Sequence, residues 1–151
     1  MGGIRERNLS HTHSNFFREH PDGVASTEEL STYLDRYAVR WVVLQSGRPF
    51  PAPFGDLLQI RAKVPDGVIC ETMKAPSFFQ EGSGRVRASM NRVEVSGSES
   101  GVPLVLRYHF LETLVCEPGC RVTVQSVQGD PVGFIRIPGP HPADLVIRNA
   151  Y

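Results

Sequence analysis

Beyond Leu57 the apolar residues come in short runs with a period of two, and turn residues cut every run. The segments 57–64, 68–72, 85–95, 102–115, 121–127, 132–137 and 145–148 carry this pattern. Successive side chains of a strand point to opposite faces, so such runs bury their oil only by stacking as antiparallel sheets. Leu104, Leu106, Tyr108 and Phe110 alternate with Val105, Arg107 and His109, which assigns the first set to the core. Glycine and proline supply 14 and 12 of the 151 residues, and that density favours many short elements over long helices. The alternation of Val86, Ala88 and Met90 slips by one residue before Val93 and Val95, which predicts a bulge at Asn91-Arg92. Cys116-Glu117-Pro118-Gly119-Cys120 predicts a type II turn between two antiparallel strands. Its cysteines either bridge the turn as a disulfide or stay as two reduced, small hydrophobes.

The first third reads differently. Residues up to about 25 are polar and aperiodic, with a turn at Pro21-Asp22-Gly23. Ser26-Thr27-Glu28-Glu29 is a capping box, and Leu30, Tyr33, Leu34 and Tyr37 follow at helical spacing, predicting a helix over 27–37. Residues 39–44 then read as a buried strand, with Trp41 packed in the core, and Pro49, Pro51 and Pro53 end the unit. The expected architecture is α+β and mainly β: a helix-strand cap within 1–56, then an antiparallel, jelly-roll-like β-sandwich over 57–151.

Sixteen basic residues balance sixteen acidic ones, so the chain lacks the positive excess that nucleic acid or an anionic membrane surface demands. The longest apolar run, 41–44, falls far short of the roughly 20 residues of a membrane-spanning helix. The first residues lack the apolar stretch of a secretion signal, and the chain reads as soluble.

The chemistry candidates are sparse. His11 and His13 alternate with His20 nearby, so two imidazoles could share an ion, but no further ligand stands at a recognised spacing and a solvated polar loop is the favoured reading. Gly82-Ser83-Gly84 lacks the context of a phosphate loop, and no nucleophile elbow or paired-carboxylate motif is present. No catalytic residue and no cofactor is assigned. Arg107 and His109 share the outward face of one strand, with Glu112 and Asp130 expected near them. These four are the candidate ligand-binding residues, set against a face that is merely wet.

The order of segments resembles the carboxy-terminal soluble region of bacterial polytopic membrane glycosyltransferases and related integral membrane proteins. The likeness is carried by Gly2-Gly3 with Asn15-Phe16-Phe17, by ELSTYLDRYAVRWVV (29–43), by SMNRVEV (89–95) with LVLRYHF (104–110), and by Pro118-Gly119 with GDPVGFI (129–135). It implies a detached extramembranous domain facing the outside of the bacterial cytoplasmic membrane, so Met1 need not be the natural start. Its partners would be the membrane-embedded part of the parent protein and glycan. Those families hold their catalytic acids among membrane helices, so none is carried over to this chain. The expected function is therefore non-catalytic: binding glycan or packing on the membrane part. The alternatives are a small metal-dependent enzyme using His11, His13 and His20, and a plain protein-interaction module.

Overall fold

The computed structural model describes residues 26–45 and 55–150. His11, His13, His20 and the prolines at 49, 51 and 53 lie outside the described residues. The described chain is mainly antiparallel β with one helix, an α+β arrangement as expected. It divides into two compact units between Ser77 and Phe78. The boundary expected near 57 falls inside the first unit, because the strands that follow it pair with the cap rather than with the sandwich.

The first unit holds helix α1 (Thr27–Arg36) and strands β1 (Trp41–Gln45), β2 (Leu58–Val64) and β3 (Gly67–Thr72), ordered β1-β3-β2. The capping box forms as read: the Glu29 amide donates to Ser26 Oγ at 3.1 Å, and the Ser26 amide to Glu29 Oε2 at 2.7 Å. At the other end Ala38 takes φ +48°, while its amide donates to Asp35 and that of Val39 to Leu34. This pair of bonds is the Schellman arrangement, with alanine where glycine is usual. Leu30 and Leu34 pack on Leu44, Leu58 and Cys70, and this is the core of the unit. The helix covers one sheet face only. Trp41, expected in the core, is therefore 51% exposed, and Val43 beside it is 61% exposed.

The second unit is a β-sandwich. One sheet orders β4 (Phe79–Glu81), β7 (Leu104–His109), β10 (Asp130–Ile137) and β9 (Thr123–Val127) as β4-β7-β10-β9. The other orders β5 (Arg85–Ser89), β6 (Arg92–Ser96), β11 (Leu145–Asn149) and β8 (Leu114–Glu117) as β5-β6-β11-β8. Leu104, Leu106, Ile135 and Ile137 from the first sheet meet Val95, Cys116, Leu145 and Ile147 from the second in one core.

Three expectations change here. The phase slip at Asn91-Arg92 is a hairpin, not a bulge: Asn91 takes φ +57° and the chain turns back, setting Val86 opposite Val95 and Ala88 opposite Val93. The segment 102–115 is two strands, β7 and β8, that belong to different sheets. Cys116 and Cys120 are joined in a disulfide, with Gly119 at φ +40°, but the loop carries the chain from one sheet to the other rather than closing a hairpin. Within β7, Leu104 and Leu106 face the core and Tyr108 packs against it, as alternation requires. Phe110 is only half-buried, and Val105, assigned outward, is buried between Glu81 and Arg136 in the strand register.

His141 ties two loops of this unit together. Its ring nitrogens lie 2.9 Å from the Pro142 carbonyl oxygen and 2.8 Å from that of Val102, and its amide donates to Ser100.

Candidate functional site

Strand β10 lies between β7 and β9, yet it contains Pro131, which cannot donate to a ladder. The register shows how the sheet accommodates it. Asp130 pairs with Val127 and Phe134 with Gln125, so residues 131–133 oppose Ser126 alone. The excess chain bows out as a bulge larger than the usual two residues against one. Gly133 closes it at φ +75°, where a Cβ would come within 2.6 Å of the Gln125 carbonyl oxygen. Only glycine fits both demands.

Asp130 organises the bulge from inside. Its Oδ1 accepts from the amides of Val132 at 2.9 Å and Gly133 at 3.0 Å, while Oδ2 lies 3.0 Å from His109 Nε2. The carboxylate is 4% exposed, and the imidazole is 40% exposed. Burial by itself would raise the Asp130 carboxyl. The Gly133 and Val132 amides and the His109 imidazole outweigh it and hold the group at about 2. The carboxylate is thus ionised throughout the neutral range and saturated with donors, which suits it to anchoring rather than to proton transfer.

The bulge and the chain leaving β7 enclose an open pocket of about 440 Å³. Phe110, Leu111, Val124, Pro131 and Val132 supply its apolar surface, and Glu112, Ser126 and Asp130 its oxygen atoms. The Phe110 amide donates to the Gly133 carbonyl at 3.1 Å and fixes the two sides together.

Of the four residues singled out from sequence, Glu112 and Asp130 line this pocket, and His109 joins it through Asp130. Arg107 is not among the lining residues; its backbone amide bonds the Phe78 carbonyl at the edge of the same sheet. Sequence reasoning missed the Val132 and Gly133 amides. The available signal was Asp130-Pro131-Val132-Gly133, an Asx-type turn pattern embedded in a strand. Among the described residues, no group of three His, Cys, Asp or Glu side chains is placed to hold a metal ion. Among them, too, no helix is long and apolar enough to cross a membrane. Comparison with models of known families, with curated proteins and with solved structures finds no match to this chain.

Proposed function

We propose that the chain is a non-catalytic glycan-binding domain, the extramembranous part of a membrane glycosyltransferase-like protein. The observation that carries this reading is the make-up of the pocket. A pyranose has apolar C–H faces and an equatorial ring of hydroxyls, and it needs hydrocarbon beside oxygen acceptors. Phe110 and Val124 offer the first, Glu112 and Ser126 the second, on a bulge whose shape Asp130 holds rigid. The Cys116–Cys120 disulfide supports an extracytoplasmic setting, since such bonds persist in oxidising compartments.

Titration of the labelled chain with a panel of mono- and oligosaccharides tests the reading by NMR. Shifts should concentrate at 110–112, 124–126 and 130–133. Ser126→Phe, which fills the pocket, and Glu112→Gln should each weaken binding. A panel that leaves those signals unmoved rejects the assignment.

A further inference from the structure

The outer face of the three-stranded sheet holds a second arrangement. Across the strands, Trp41 pairs with Glu71 and Glu71 with Gln59, while Val43 pairs with Ile69 and Ile69 with Ala62. The extra residue of β2 between Ile60 and Ala62 is Arg61, and its Nε donates to Glu71 Oε2 at 2.7 Å. From the other side, Arg40 reaches Glu71 Oε1 at 3.0 Å. These bonds from Arg61 and Arg40 lower the Glu71 carboxyl and keep it charged. The Arg40 guanidinium also stands 5.7 Å from the centre of the Trp41 ring.

Three features set this face apart from a merely wetted sheet. Trp41, Val43 and Val64 are exposed by 51%, 61% and 40%, although aromatic and branched side chains ordinarily seek burial. Two guanidinium groups share one carboxylate, which leaves the cluster with net positive charge. Each guanidinium carries five N–H donors, and most of them make no other bond among the described residues. Glu71 holds both guanidinium groups, and that of Arg40 stands beside the indole, so the donors are grouped before any ligand arrives.

We propose that this face is a second glycan-binding surface, on which the Trp41 indole stacks against a pyranose of a uronate-bearing glycan while Arg40 and Arg61 hold its carboxylate. Glu71 is the positioning residue. The net charge selects an anionic over a neutral sugar, and planar guanidinium groups match a carboxylate in two-point contact. The surface belongs to the other unit from the β9–β10 pocket, so neither reading depends on the other.

Trp41 is the only tryptophan of the chain and reports on its own site. The full chain is titrated with oligogalacturonates, followed by fluorescence and by calorimetry. Saturable binding with a change in emission is expected, weakening at higher salt. Calorimetry should show a loss of about tenfold for Trp41→Ala, consistent with removal of one aromatic anchor. Arg61→Gln should weaken binding and flatten its salt dependence, and Ser126→Phe should leave it unchanged. Circular dichroism checks that each variant is folded.

Equal affinity of Trp41→Ala and the parent chain would overturn the assignment, as would absence of saturable binding. Equal binding of neutral cello-oligosaccharides would reject the selection by charge. Emission changes that track protein concentration rather than sugar would make the face a contact between copies of this chain. Binding of polyglutamate without oligogalacturonate would make it a protein-docking face. Loss in Ser126→Phe alone would overturn this surface and leave the pocket reading standing.

Discussion

Replacing Asp130 with Asn removes one charge and almost no volume. The Asn carbonyl can still accept from the Val132 and Gly133 amides, so the bulge keeps its framework while the ionic part of the arrangement is lost. The carboxyl titrates at about 2 in the folded chain against an ordinary value of 3.8. Such a difference corresponds to about 2 kcal/mol of folding stability at neutral pH. Because the folded value is the lower one, the unfolded chain takes up the proton first. The stabilisation is therefore complete well above the ordinary carboxyl value of 3.8, shrinks as the pH falls, and is gone below about 2. Urea unfolding between neutral and strongly acidic pH, followed by the NMR signals of β10, measures the gap between parent and Asp130→Asn. Glu71 and Glu117 are also held low, by Arg61 with Arg40 and by Arg148 respectively, but they occur in both proteins and cancel from the difference. The gap should be about 2 kcal/mol at neutral pH and close toward zero at the acid end. A gap that stays constant with pH, or is absent at neutrality, would refute the role given to this carboxylate.

Gly133→Ala should cost more than about 2 kcal/mol, since a Cβ meets both an unfavourable φ and a backbone oxygen; chemical denaturation measures it, and a neutral result would mean that the bulge has relaxed. Ala38→Gly should stabilise the first unit by about 1 kcal/mol, as glycine occupies the left-handed position of the Schellman arrangement without a Cβ penalty; thermal unfolding followed by Trp41 emission reads it. The Cys116–Cys120 disulfide closes only a short loop, so its reduction should cost about 2 kcal/mol, measured as the shift in denaturant midpoint with and without reductant.

What was legible in the sequence was local. Ser26 and Glu29 determine a helix start by themselves, and the leucines at 30 and 34 state which side of that helix is apolar. Alternation at 104–108 likewise identifies an inner set without reference to any partner. Pairing was not local. A one-residue slip in apolar phase fits either a bulge or a reversal, and at Met90-Asn91 only the positive φ of Asn91 decides between them. Trp41-Val42-Val43-Leu44 is apolar at every position, so alternation within it is invisible. Which side is covered depends on how many helices the fold provides, and the described chain has one.

Both sites depend on an interrupted strand, which is why their geometry was not plain from sequence. A regular strand presents its side chains at fixed, alternating directions, and a run of such strands reads well from residue patterns. A group brought beside others out of that alternation needs an interruption of the pairing. Arg61 reaches Glu71 from the extra residue in β2, and the pocket opens where residues 131–133 face Ser126 alone. In the sequence each interruption shows as a lapse in period, which alone does not distinguish it from a loop. In the folded sheet it is where backbone amides are left for Asp130 to bind and where a second guanidinium can reach Glu71. At these two interruptions the periodic reading of the chain fails and polar groups gather together.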